Sequence, residues 1–277
     1  MEYKVLIPSA GLGSRLGDSY KNLNKALVSI NNKPVISHLI EKFPHDIEII
    51  VALGHQGGLL KEYLQIVHKD RNIKLVEIDN YCGIGSGLGY TVLKCKEFLN
   101  CPFLFCPNDS FILDAIPLPD INWVGYSNVN NDLNYRSLKI NVNKVVDDIL
   151  NKDNNSRDLK PYIGLAGIKD FEAFWDAMEH GKNYGAINVG EAYAIKKLIH
   201  SKYEFIAREF KWFDTGNLKS LKNAKEILKK EDSPEILEKH NEAIWFVSGK
   251  VVKYNHDKKF ISDRIERSSL LEDYVPL

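Results

Sequence analysis

The feature that most constrains this chain is a rhythm of short β-branched runs alternating with segments of helical apolar spacing, from residue 5 to residue 106. Val5 to Pro8 reads as a strand, and Ile47 to Leu53, Ile73 to Ile78 and Pro102 to Cys106 as three more. Between them, Pro34 to Phe43, Gly58 to Val67 and Gly89 to Leu99 repeat apolar residues at the spacing of one helix face. Strand, helix, strand in this order implies βαβ units, because parallel neighbours need a crossover long enough to hold a helix. The expectation is an α/β fold with a doubly wound, mixed but mostly parallel sheet. Ligands in such sheets sit beyond the carboxyl ends of the strands.

Past residue 110 the rhythm changes. Trp123 to Asn128, Arg136 to Val142, Val145 to Leu150 and Tyr162 to Ile168 read as strands, and Lys152 to Asp158 as a polar loop. Helices follow at Phe171 to His180 and Glu191 to Ser201, then a strand at Tyr203 to Ile206 and a helix at Ser220 to Lys230. The last segment differs: Ala243 to Val247 and Val251 to Tyr254 flank Ser248-Gly249-Lys250, a hairpin pattern, and a charged helix is expected over Ser262 to Glu272. The division expected is a main domain over 1–240 and a C-terminal hairpin and helix over 241–277.

The chain has 277 residues, 44% hydrophobic and 27% charged, enough for a sizeable core. Lys plus Arg and Asp plus Glu are 37 each, so no basic excess argues for a nucleic-acid surface. None of the four cysteines forms a CxxC pair, which argues against structural zinc. No run approaches the roughly 20 apolar residues of a membrane span, and Val5-Leu6-Ile7 is too short for a signal peptide. A cytoplasmic protein with no membrane partner is the expectation.

The chemistry is concentrated in the turn after the first strand, Ser9-Ala10-Gly11-Leu12-Gly13-Ser14-Arg15-Leu16. Glycines let a backbone approach a polyphosphate, successive N–H groups can form an anion nest, and Arg15 adds a permanent charge. A helix starting near Ser14 would point its positive end at the same place. Leu16 replaces the third glycine of GxGxxG, and no Gly-Lys-Ser/Thr follows, so the turn is neither a dinucleotide fingerprint nor a P-loop. Lys25 follows ten residues later.

Taken together, Ile7 to Leu16, Lys25 and Lys33-Pro34-Val35-Ile36 resemble the opening of the nucleotidyltransferases, a family that includes sugar-nucleotide pyrophosphorylases and phosphocholine cytidylyltransferases. The likeness runs through most of residues 3–230. It implies a Rossmann-like mixed α/β fold, a nucleoside triphosphate and Mg²⁺. Arg15 and Lys25 take the catalytic roles of binding and polarising the triphosphate, and Ala10, Gly11, Leu12, Gly13 and Ser14 bind the nucleotide. The family's proline before the lysine is Asn24 here.

Further matches follow in order. Ala52 to Gly57 resembles the family's turn after the second strand. Gly83 to Gly89, with four glycines in seven residues, resembles the loop that reads the base, which assigns Gly85 and Ser86 to the nucleotide. Phe103 to Asp109 resembles the strand ending in a metal-binding acid, with Asn108 beside the nucleotide, and Trp212-Phe213-Asp214-Thr215-Gly216 resembles the second metal motif. Asp109 and Asp214 are the implied Mg²⁺ ligands; an isolated Asp is more often a turn or cap residue. Acceptor recognition rests on Lys152, whose flanking Glu and Pro are missing, and on Glu191; a loop lysine and a helix N-terminal acid are the plain alternatives.

The departures lean the substrate toward CTP and a small phosphorylated compound, in the manner of surface-polysaccharide decoration, with a sugar-1-phosphate uridylyl- or thymidylyltransferase as the alternative. A glycosyltransferase using a nucleotide-sugar would be expected to carry a DxD motif, and Asn108-Asp109-Ser110 lacks the second acid. The tail, Trp245 to Tyr254, resembles the first hairpin of a choline-kinase-like lobe, which implies a fusion to a kinase-like domain with Lys253 as its nucleotide-binding lysine. A hairpin and helix packed on the main domain is the other reading.

Overall fold

The computed structural model describes residues 2–128, 135–151, 159–230, 242–255 and 257–268. Its centre is a mixed sheet of nine strands: β1 (Lys4–Ser9), β4 (Ile49–Leu53), β5 (Ile73–Glu77), β6 (Phe103–Phe105), β8 (Trp123–Tyr126), β9 (Ser137–Ile140), β10 (Val146–Leu150), β11 (Lys160–Ile168) and β12 (Ile206–Glu209). Two two-residue strands, β2 (Ser29–Ile30) and β3 (Lys33–Pro34), form a small antiparallel pair of their own, and β7 (Ser110–Ile112) pairs with β13 (Trp212–Asp214).

The sheet runs β10-β9-β11-β6-β1-β4-β5, with β8 joining β11 to β12. The half built from β6, β1, β4 and β5 is parallel, and β11 turns the order antiparallel against β6. This is the α/β sheet the rhythm implied, in the Rossmann-like form the resemblance implied. Successive residues of the central strands feed two different cores. Val5 and Ile7 enter one with Ile49, Val51 and Leu104; Leu6 enters the other with Ile50, Ala52, Phe103 and Phe105. A strand buried on both faces needs apolar residues at every position, which is why these runs carry no polar alternation.

Helices α1 (Val35–Ile40), α2 (Gly57–Val67), α3 (Leu88–Lys94), α4 (Phe171–His180), α5 (Ala186–Val189), α6 (Glu191–His200) and α7 (Leu218–Ile227) cover the sheet. α4, α5 and α6 bury Phe174, Met178, Ala186, Ile195 and Leu198 in the core that holds Leu6. The tail forms a hairpin, β14 (Glu242–Val247) and β15 (Lys250–Asn255), followed by α8 (Lys258–Ser268). Trp245, 1% exposed, enters the core that holds Val5, and Phe246 N–H donates to the Asn32 carbonyl at 2.9 Å.

Three expectations shift. No helix starts at Ser14: the chain makes only a 3₁₀ turn over Ser14–Leu16 and a second over Asp18–Tyr20, so the glycine turn gains no helix dipole. The strand expected at Tyr203 to Ile206 begins at Ile206, where it can pair with Trp123. The terminal helix starts at Lys258 rather than Ser262, and residues 269–272 of the expected span lie outside the described residues. Among the described residues, no helix is long and apolar enough to cross a membrane.

Candidate functional site

A cleft of about 400 Å³ opens beyond the carboxyl ends of β1 and β6, where a doubly wound sheet places its ligands. One wall is the glycine turn. Gly13 adopts φ 66°, a left-handed conformation that glycine takes at little cost. A single buried amide fixes the turn to its neighbours. Asn24 Nδ2 donates to the carbonyls of Ser9 (3.0 Å) and His55 (2.7 Å), while its Oδ1 accepts from Ala26 N–H at 2.9 Å. The residue that departs from the family's proline thus joins the first-strand turn, the second-strand turn and the short turn bearing Lys25.

Asp109 and Asp214 arrive from segments remote in sequence. The β7–β13 pair sets Asp214 opposite Ser110, and Thr215 N–H donates to the Asp109 carbonyl at 2.9 Å, so both acids lie at one end of that pair. Gly216 keeps the space between them clear. A Cβ there would fall 2.5 Å from Asp109 Oδ2, 3.0 Å from Asp214 Oδ1 and 3.3 Å from an Arg15 nitrogen. Four charged residues therefore converge on one point.

Their pairing is asymmetric. Lys25 Nζ donates to Asp109 Oδ2, and an Arg15 nitrogen stands 3.8 Å from the same oxygen. Burial pushes the Asp109 carboxyl up, but Lys25 and Arg15 outweigh it and hold the group below its usual range. Asp214 is held by neutral donors: Tyr135 O–H at 2.8 Å and Asn217 Nδ2 at 2.7 Å on Oδ2, and Gly216 N–H at 2.8 Å on Oδ1. The Tyr135 ring meets Trp212 edge-on at 5.2 Å between centroids.

A third acid lies farther along the wall. Glu191 opens α6 and is 3% exposed; its Oε1 accepts from Tyr162 O–H at 3.1 Å, and its buried Oε2 has no hydrogen-bond partner among the described residues. Burial pushes its carboxyl up to about 7, against the opposing pull of Arg136 and nearby N–H donors.

Of the residues singled out in the sequence, Ala10, Gly11, Gly13, Arg15, Lys25, Ser86, Asn108, Asp109, Glu191 and Asp214 line the cleft. Leu12, Ser14 and Gly85 lie outside that lining, and Lys152 lies outside the described residues. Gly87 and Gly89 have a packing role besides: a Cβ at either would run into the carbonyls of Ile187 and Ala186, so α3 lies directly on α5. Tyr135, Arg136 and Tyr162 line the cleft without standing in any recognisable pattern. Lys253 is exposed on the hairpin and is not among the lining residues.

Two carboxylates and no third His, Cys, Asp or Glu grouped with them (among the described residues) make a hard, oxygen-only donor set. Mg²⁺ suits such a set, because it takes one or two carboxylates and completes its shell with phosphate and water. Asp109 and Asp214 are the residues that would hold it.

No family model matches the chain. Bifunctional protein GlmU of Methanococcus maripaludis is 28% identical over 219 residues, which is 77% of this chain and 51% of that protein. The chain thus spans about half the length of these curated relatives. Choline-phosphate cytidylyltransferase of Streptococcus pneumoniae is 34% identical over 116 residues, 40% of this chain and 44% of that protein. Among solved structures, a CTP:phosphocholine cytidylyltransferase from S. pneumoniae superposes with a TM-score of 0.70 at 22% identity, covering 83% of this chain and all of the other. A UDP-glucose pyrophosphorylase from Acinetobacter baumannii gives 0.67 at 17% identity, covering 84% of this chain and 96% of that one. The likeness first read in the glycine turn extends to the whole sheet: in fold and in sequence, this chain resembles the nucleotidyltransferases.

Proposed function

We propose that the chain is a magnesium-dependent nucleotidyltransferase that joins a nucleoside triphosphate, with CTP favoured, to a small phosphorylated metabolite and releases pyrophosphate. The observation that carries this reading is the convergence of Arg15, Lys25, Asp109 and Asp214 around Gly216 beside an open glycine turn. The similarity to choline-phosphate cytidylyltransferase favours CTP. The fold match to UDP-glucose pyrophosphorylase supports the second reading, a sugar-1-phosphate uridylyltransferase.

The chemistry asks the protein for positioning and charge. An oxygen of the acceptor phosphate bonds to the α-phosphorus, and the α–β bridging oxygen departs with the bonding pair as pyrophosphate. Backbone N–H groups of Ala10 to Gly13 face the outer phosphates, and Arg15 and Lys25 neutralise the charge that builds on the leaving group. Bound by Asp109 and Asp214, Mg²⁺ would offset charge on the phosphate oxygens. Lys25 moves from Asp109 to phosphate in this scheme, a short shift for a flexible ammonium.

The test is pyrophosphate release with Mg²⁺ across CTP, UTP, ATP, GTP and dTTP, each paired with phosphocholine or glucose 1-phosphate. Turnover is expected with at least one pair and strongest with CTP. Asp109→Asn and Asp214→Asn should each lower kcat about 100-fold or more while melting as the wild type does. No pyrophosphate from any pair, or full turnover in both variants, would sink the reading.

A further inference from the structure

The cleft holds a third cation, Arg136. Around the wall Lys25 meets Asp109, Asp109 and Asp214 flank Gly216, and Tyr135 donates to Asp214; Arg136, next to Tyr135 in the chain, lines the same cleft. Arg136 in turn exerts its charge on both Tyr162 and Glu191. Arg15 and Lys25 share one end of this series, since both meet Asp109. Arg136 belongs to the other.

Nucleotidyl transfer brings two anions together, and each has to exchange its water for fixed donors. A cluster already committed to the triphosphate cannot also face the incoming phosphate from the side opposite the leaving group. Arg136 is built for that second task. Its carbonyl accepts from Tyr162 N–H at 2.8 Å, so β11 fixes the backbone beneath it. The preceding side chain, Tyr135, is held by Asp214 and Trp212. Glu191 takes its hydrogen bond from Tyr162, and among the described residues no ion pair engages the guanidinium. A planar fork with five donors matches two phosphate oxygens at once.

We propose that Arg136 is the phosphate anchor of the acceptor, pairing with two of its phosphate oxygens while Arg15 and Lys25 serve the triphosphate. The proposal rests on the nucleotidyltransferase reading of the site. It assigns recognition of the acceptor phosphate to the residue just before β9, a strand absent from the motifs that mark the site in the sequence.

The experiment has two arms. Calorimetric titration of phosphocholine and of glucose 1-phosphate into the wild type, Arg136→Ala and Arg136→Lys, without nucleotide, tests the anchor. Steady-state kinetics on the same proteins, with the triphosphate that supports turnover, tests the division of labour. The proposal expects the wild type to bind one of the two phosphates and Arg136→Ala to bind it about tenfold or more weakly, with Arg136→Lys in between. The acceptor KM should rise in parallel while the triphosphate KM stays within about twofold. Equal binding by wild type and Arg136→Ala, no binding of either phosphate by the wild type, or a matching rise in the triphosphate KM overturns it. Absence of pyrophosphate in the wild type would instead reject the reaction itself, whatever the titrations give.

Discussion

At the scale of single residues, the most consequential side chain carries no charge. Asn24 gives hydrogen bonds to two backbone carbonyls of different segments and caps a third segment through Ala26 N–H. A proline there would match its φ of −66° but supply none of these bonds. Asn24→Ala leaves the Ser9 and His55 carbonyls without their donor, and should cost about 1–3 kcal/mol by urea denaturation. In the proposed reaction it should also raise the triphosphate KM, because the glycine turn loses its tie to Lys25; an unchanged midpoint and KM would contradict this role. Arg15, Lys25, Asp109 and Asp214 were legible in the sequence because each is a charged residue inside a recognisable local pattern. The roles of Asn24, Tyr135 and Arg136 were not, since Asn24 meets Ser9 and His55, Tyr135 meets Asp214, and Arg136 joins Glu191 in the cleft only once segments distant in sequence come together.

Among the elements, the C-terminal hairpin shows how a packed aromatic can bind a late segment to an early core. Trp245 stands edge-on to Tyr63 of α2 at 5.2 Å between centroids, and Tyr63 O–H lies 2.6 Å from Ser37 Oγ of α1. Trp245→Ala opens a cavity between hairpin and helices, and should cost about 3–5 kcal/mol, read as a fall in Tm. A wild-type Tm would show that the hairpin contributes little to the main core. The hairpin itself was legible because two apolar runs flank a glycine-containing turn, and there Ser248 and Gly249 take positive φ, 52° and 75°, the geometry of a tight two-residue turn. The β7–β13 pair was not, because three-residue strands carry too few positions to display a period. The same limit hid β3, whereas Val28-Ser29-Ile30 reads as strand-like and holds β2.

For the molecule as a whole, three groups that burial holds near neutrality set how stability varies with pH. Burial pulls His38 and His68 from 6.5 down to about 4, and pushes Glu191 from 4.5 up to about 7. The unfolded chain keeps histidine protons that the folded state sheds, so that stability is present above pH 6.5 and lost as pH falls toward 4. Glu191 works the other way: the folded state keeps a proton the unfolded chain loses, so its contribution is full below pH 4.5 and lost as pH rises to 7. Between 4.5 and 6.5 the two histidines oppose one glutamate, and stability should rise by about 1.4 kcal/mol per pH unit. Glu191→Gln removes the opposing contribution, so its slope should be about twice as steep. Urea denaturation at several pH values in that window checks both, and equal slopes in the two proteins would refute the assignment to Glu191. The same residues shape how a substrate is met. Arg15, Lys25 and Arg136 share one cleft with Asp109, Asp214 and the partly neutral Glu191, so at most one positive charge is left uncompensated. On a chain whose own charges balance at 37 and 37, such a cleft projects little field into the solvent. Anions are then captured by contact at close range rather than gathered from afar, and selectivity belongs to the fit of the walls instead of to the speed of arrival.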